Sequence, residues 1–157
     1  MSEGTISVQV RRAERADVPA IVRLLADDHL GATREIVGDP VAQVYLDAFD
    51  AMAAQPSNEL FVAELNGDVV GCLQLTVITG LSRKGMTRGQ VEGVRVSSAH
   101  RGQRIGEQLM RVAIERARER GCRVVQLTSD RTRVDAHRFY ERLGFELSHV
   151  GMKLTFG

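Results

Sequence analysis

The stretch that decides the fold is VRVSSAHRGQRIGEQLM, residues 94–110. A β-prone run enters Ser97-Ser98, passes through Arg101-Gly102-Gln103-Arg104-Ile105-Gly106, and only then opens a long helix. Glycines at a strand-to-helix junction let the backbone approach something closely. The amides exposed there, with the positive end of the helix, suit an anion. Taken alone, the pattern serves equally well as a tight turn, so the surrounding chain has to decide.

Downstream, Ile105, Leu109, Met110, Ala113, Ile114 and Ala117 line one face of the helix, charges fill the other, and Gly121 stops it. Residues 124–128 read as a strand and 134–143 as a last helix ended by Gly144. Residues 145–156 are apolar and β-prone enough for one or two closing strands. Upstream, VEGVRV (91–96) is a strand in which Gly93 marks a bulge or a close backbone approach. Before it lies a polar loop, TGLSRKGMTRGQ. Strands at 60–65 and 69–78 flank Asn66-Gly67, a strong hairpin signal because both positions tolerate positive φ. Residues 6–10 alternate as a strand does. Asp17 reads as an N-cap with Pro19 in the first turn, and Val18, Ile21, Val22 and Leu25 carry a helix to about His29. A loop with Gly31 and Asp39-Pro40 leads to a second helix over 41–54, ended by Pro56-Ser57-Asn58. The order is β-α-α-β-β-β-α-β-α-β(-β). A strand–helix–strand unit over 91–128 implies a parallel pair, and the hairpin before it is antiparallel. The expected fold is α/β: a mixed sheet with helices on both faces.

The 157 residues suit one domain, 1–157, with 43% hydrophobic and 26% charged residues, ordinary values for a globular protein. A net charge of +1 gives no argument for nucleic acid or a membrane as partner. Cys72 and Cys122 lie far apart in apolar surroundings, without metal-ligand spacing, and read as reduced core thiols. The opening MSEGTISVQV lacks the long apolar run of a signal peptide, so a cytoplasmic protein is expected.

Three features together resemble the GNAT superfamily of acetyl-CoA-dependent N-acetyltransferases. RGQRIG after a strand is similar to the family's pyrophosphate loop, Q/R-x-x-G-x-G/A, with Arg101 and Gly106 at its ends and Arg104 in place of the usual inner glycine. DAHRFYERLGF (135–145) resembles its late helix, with a Tyr followed by a Gly-Phe strand start. VEGVRV resembles the strand that pairs with the pantetheine arm, which implies a centrally splayed sheet. One departure is Arg133, where many members carry an Asn three residues before the alanine of the late helix, so no Asn-type cofactor contact is assigned there.

The resemblance implies acetyl-CoA as co-substrate. Arg101, Gly102, Gln103, Arg104, Ile105, Gly106 and Glu107 would surround its pyrophosphate, and Val94, Arg95 and Val96 its pantetheine arm, with Arg138 also on the cofactor side. An N–H near Val94 would polarise the thioester carbonyl. An alkylammonium must lose a proton before it attacks. Glu92, two residues before Val94 and on its face if the strand is regular, is the first candidate base; Gln90 shares that face and cannot serve. Tyr140 is placed by the resemblance to protonate the departing thiolate, a role that competes with plain core packing. His137 reads as a surface or cofactor-side residue.

Two hints about the acceptor conflict. Asp27 and Asp28 beside His29 could hold an ammonium group, while Arg83, Lys84 and Arg88 lie near the expected acceptor side and suggest an anion. DAHRFYERLGFELSH has some likeness to aminoalkylphosphonate acetyltransferases. The expected partner is a small-molecule amine, and a homodimer is the family's habit. The competing class is a non-catalytic acyl-CoA sensor, which would have no need of both Glu92 and Tyr140.

Overall fold

The computed structural model describes residues 4–157; residues 1–3, where the stretch read for a leader begins, lie outside it. Five strands form one sheet in the order β1-β2-β3-β4-β5: β1 Gln9–Arg12, β2 Asn58–Leu65, β3 Asp68–Thr79, β4 Thr87–Val96 and β5 Val124–Leu127. The first four run antiparallel to their neighbours, and β5 lies parallel to β4. The helices are α1 Val18–Ala26, α2 Gly31–Arg34, α3 Gln43–Ala53, a single left-handed turn α4 Ser82–Gly85, α5 Ile105–Glu119 and α6 Val134–Arg142.

The sheet buries both faces. On one, Leu73, Leu75 and Val91 pack against Ile105, Leu109, Met110, Ala113 and Ala117 of α5. This is the apolar seam expected of that helix; it omits Ile114. On the other face, Val62 and Cys72 meet Ile21 and Leu24 of α1. Burial pushes the Cys72 thiol up to about 12, which leaves it an inert core group. Asn66 and Gly67 turn the hairpin with φ of 52° and 84°.

Four expectations are corrected. The first strand begins at Gln9, not Ile6, because the backbone just before it bonds elsewhere: the Gln108 side chain donates to the Ile6 carbonyl at 2.7 Å and accepts from the Val8 N–H at 3.2 Å. Asp17 does not cap α1. Its carboxylate accepts from the Glu14 N–H (2.7 Å) and from the two terminal Arg11 nitrogens, Nη1 and Nη2 (2.8 and 2.9 Å). The first helix stops at Ala26, three residues early, which releases Asp27 and Asp28 for other work. Finally, residues 145–156 form no strand: Leu147, Val150, Met152, Leu154 and Phe156 are 82–93% exposed.

Candidate active site

Gly93 breaks the alternation of β4. It sits at φ 61°, and the pairing with β3 shifts between Cys72 and Gln74. On a regular strand Glu92 and Val94 would share a face. Here Val91, Val94 and Val96 all belong to the α5 side, while Glu92 pairs with Gln74 and Arg95 with Cys72 on the α1 side. Glu92 therefore stands on the face opposite Val94, correcting the regular-strand expectation, and it is exposed. Around it runs a strip of neutral polar groups. Thr76 Oγ1 donates to Asn58 Oδ1 at 2.8 Å, and Gln126 Nε2 to Gln90 Oε1 at 2.8 Å.

The bulge also marks the point where the sheet opens. β5 pairs with β4 only over residues 88–91, so residues 92–96 have β3 on one side and no strand on the other. That open edge leads through a short turn, Ser98–His100, into the glycine loop. Among the described residues no hydrogen bond uses the N–H of Gly102, Gln103, Arg104, Ile105 or Gly106. Gly102 and Arg104 have φ of 78° and 60°, so Arg104 holds a backbone conformation that glycine adopts without strain. At Gly106 a Cβ would meet Phe139 Cζ at 3.3 Å and Val96 Cγ2 at 3.6 Å, so a side chain there would fill the angle between α5, α6 and β4. The side-chain oxygen of Gln103 and Nδ1 of His100 are buried there, without partners among the described residues. Unpaired amides at a helix start fit a bound anion, and an open strand edge fits an amide-bearing chain.

The charged side chains of the loop do not all converge. Arg101 Nη2 donates to the Asp27 carbonyl at 2.8 Å, and the Ser98 N–H and hydroxyl bind the Asp27 carboxylate at 2.7 and 3.1 Å. Arg101 thus ties the loop to the end of α1. Arg104 is exposed near Glu107, which Arg111 holds at 2.6 Å. Arg138 is exposed and lies 3.9 Å from Asp135. His137 Nε2 is 3.0 Å from the Asp130 carbonyl, which braces the turn before α6.

Tyr140 is half-buried on α6, its ring 5.2 Å from that of Phe139 and 6.0 Å from that of Phe145. No hydrogen bond among the described residues engages its hydroxyl. Burial raises its pKa, opposed by the charges of Arg95 and Arg133, so the phenol keeps its proton at neutral pH.

Those two arginines belong to a cluster that sequence reasoning missed. Asp28 accepts from Arg133 Nη1 and from the Gly31 N–H (2.5 Å), and lies 3.7 Å from Arg95 Nε. Arg95 also donates through Nη1 to the Val94 carbonyl at 2.9 Å, while its buried Nε has no hydrogen-bond partner among the described residues. Burial works to raise the Asp28 pKa, but the bond from Arg133, the Gly31 amide and the nearby positive charges prevail and hold it at about 2. Asp27 and Asp28 are both engaged, so they do not form a free acidic pair for an ammonium group. Arg83 and Lys84 stand in α4, before the start of β4, roughly 20 Å of strand from Gly93, so they are not at the open edge.

Residues 19–145 match the acetyltransferase (GNAT) family. The chain is 36% identical over 107 residues to aminoalkylphosphonate N-acetyltransferase of Salmonella typhimurium, covering 68% of this chain and 69% of that one. It is 33% identical to the L-methionine sulfoximine/L-methionine sulfone acetyltransferase of Pseudomonas paraeruginosa, over 94% of this chain and 88% of that one. A crystal structure of a transcriptional regulator from Bacillus halodurans C-125 superposes with a TM-score of 0.93 at 47% identity, covering 96% of this chain and all of that one.

Proposed function

The chain belongs to the GNAT family of acetyltransferases, enzymes that typically use acetyl-CoA, and from that premise we propose that it acetylates a primary amine of a small molecule by direct attack within a ternary complex. One observation carries the reading. The open edge of β4 runs directly into a loop with five unpaired amides, a continuous surface for an amide-rich arm that ends in a pyrophosphate.

Acetyl-CoA would supply an acetyl group activated as a thioester. The amides from Gly102 to Gly106 and the positive end of α5 hold the pyrophosphate. Backbone groups of residues 94–96 pair with the arm, and the Val94 N–H polarises the thioester carbonyl. Glu92, exposed beside Gln74 and Gln90, takes the ammonium proton directly or through water. Tyr140, with a free hydroxyl and a raised pKa, gives a proton to the departing sulfur.

The two named relatives act on aminoalkylphosphonates and on methionine sulfoximine or sulfone. Each of these molecules joins an amine to an acidic group, and we place this chain's acceptor in that class. Arg95 and Arg133, two positive charges that share the single carboxylate of Asp28 near Tyr140, supply matching charge. The test is release of CoA thiol from acetyl-CoA with a panel of amines: aminoalkylphosphonates, amino acids and uncharged alkylamines. Turnover confined to the acidic amines is the expected result. Acetyl-CoA binding without transfer to any member would make the chain a sensor, the role suggested by the description of the Bacillus halodurans structure as a transcriptional regulator.

A further inference from the structure

Asp28 lies in the short connection between α1, which ends at Ala26, and α2, which begins at Gly31. Its Oδ1 accepts from the Gly31 N–H at 2.5 Å, and its Oδ2 accepts from Arg133 Nη1 and lies 3.7 Å from Arg95 Nε. Arg34 Nη2, on the same segment, faces Asp130 Oδ2 at 3.8 Å. Two ion pairs of opposite sense therefore strap residues 28–34 to residues 130–133. Arg95 stands on β4 beyond Val91, where β5 stops pairing with it, and Arg133 stands past the end of β5. Asp28 thus joins the two sides of the gap that opens between those strands.

The charges in this contact do not balance. Two guanidinium groups share one carboxylate, and Arg95 Nε is buried with no hydrogen-bond partner among the described residues. A buried donor left unpaired costs free energy, so a closer or richer acceptor would be favoured there. A phosphonate, with three oxygens and up to two negative charges, answers two guanidinium groups more fully than a single carboxylate does. The outer pair gives little resistance to an exchange: Arg34 and Asp130 are beyond hydrogen-bond reach, with side chains 58% and 35% exposed. Arg95 also shares a face with Glu92. The two pair with Cys72 and Gln74, two residues apart on β3 or roughly 7 Å. An amine at Glu92 and an acid at Arg95 would therefore fit on one small molecule.

We propose that Asp28 is the chain's own stand-in for the acidic group of the acceptor: it holds Arg95 and Arg133 until the acceptor arrives, and the acceptor's acid takes those two arginines from it. That the incoming acid belongs to the acceptor rests on the reading given under Proposed function; the exchange itself needs no acetyl transfer and involves only ion pairs and hydrogen bonds. A site filled from within binds its ligand more weakly, in proportion to the fraction of time it is free. Asp28 thereby sets a threshold, which a phosphonate passes more readily than a carboxylate of the same length.

The test is isothermal titration with methylphosphonate, which has the acid and no amine. Asp28→Asn keeps an oxygen for the Gly31 N–H and removes the charge; Asp28→Ser is the alternative with the same local bond. Either should bind methylphosphonate more tightly than the wild type, by roughly tenfold if Asp28 fills the site about nine-tenths of the time. Arg95→Gln and Arg133→Gln should each weaken binding by tenfold or more. In acetylation assays the KM for aminoalkylphosphonates should move in the same order. Neutral variants at Asp28 that bind no tighter would overturn the proposal. So would binding that survives Arg95→Gln, or binding lost in Gly106→Asp, which would place the anion in the glycine loop. If methylphosphonate follows the expected order while no amine is acetylated, the acetyl-transfer reading falls and the stand-in holds.

Discussion

Glu59 and Asp28 are both carboxylates withdrawn from water and set among arginines, and they differ in how fully they are answered. Glu59, 1% exposed on β2, is held by Arg12 at 2.6 Å, Arg116 at 2.8 Å and Arg120 at 3.2 Å. Those three arginines come from β1, α5 and the residue after α5, so the carboxylate pins one corner of the sheet to its main helix. Asp28 has two arginines, and the nearer nitrogen of Arg95 lies beyond hydrogen-bond reach at 3.7 Å and has no other partner among the described residues. One cluster is saturated and sits away from the open edge of β4. The other is under-satisfied and sits beside Tyr140 and the bulge. Saturated polar networks fix a scaffold, whereas incompletely satisfied ones occur where a ligand or a reaction has a use for them.

The largest effect that sharpens this contrast belongs to the open side. Gly106→Asp puts bulk and negative charge where Phe139 and Val96 already crowd the helix start. The stabilisation by acetyl-CoA expected in a thermal-shift measurement should vanish, read against the variant's own unliganded Tm, which the crowding at Phe139 lowers. A retained shift would mean that the pyrophosphate lies elsewhere.

Next in size is the scaffold. Glu59→Ala takes away the buried carboxylate that three partly exposed arginines share and should cost about 3 kcal/mol in urea unfolding, the upper scale for losing charge-assisted hydrogen bonds. Turnover per folded molecule should not change. A loss in kcat at full folding would erase the distinction between the clusters.

Tyr140→Phe and Glu92→Gln should do the reverse. Each should lower turnover by roughly a hundredfold, the scale for losing a positioned acid or base. Each should alter stability by about 1 kcal/mol or less, because the Tyr140 hydroxyl makes no hydrogen bond among the described residues and Glu92 is exposed. Steady-state kinetics beside urea unfolding reads both quantities. Near-normal turnover in either variant would return that residue to a packing or surface role.

The smallest effect concerns Asp28 and acid. Its pKa falls from 3.8 to about 2 on folding, so within that window the unfolded chain binds the proton first. The stabilisation from this group is complete above the upper value and is lost as pH falls towards the lower one. Asp28→Asn should flatten that part of the stability-against-pH curve, followed by circular dichroism in acid. An unchanged acid limb would show that other carboxylates set it.

Local signals carried far in this chain. The Asn66-Gly67 hairpin, the α5 seam and the glycine loop all act within a few residues, and each lies where its pattern placed it. The unreadable features depend on distance or on parity. Asp28 and Arg133 are 105 residues apart, and nothing in either neighbourhood announces the other. Asp17 matched an N-cap pattern, but Arg11 competed for the same oxygens. Glu92 shares a face with Val94 only on a regular strand, and although Gly93 signals a bulge, the segment alone does not say how the bulge re-aims the side chains around it. Residues 145–156 look like strand, but a strand needs an edge, and which edge is not a property of the segment itself.

Gly93 also constrains how this chain can change over generations. A substitution elsewhere in β4 alters one position, but straightening the bulge with Gly93 kept in the ladder would move every later residue to the opposite face. Val94 and Val96 would turn towards α1, and Arg95 would enter the apolar layer beneath α5 as an unpaired charge. Loss of Gly93 itself would keep those faces, because Gly93 is the extra residue set with Val94 against Leu73 alone. Descendants can therefore exchange side chains along the open edge one at a time, whereas a residue at 93 that resists positive φ puts the whole later half of the strand at risk. The bulge acts as a reading frame for the strand, and related chains should differ around Gly93 far more readily than at it.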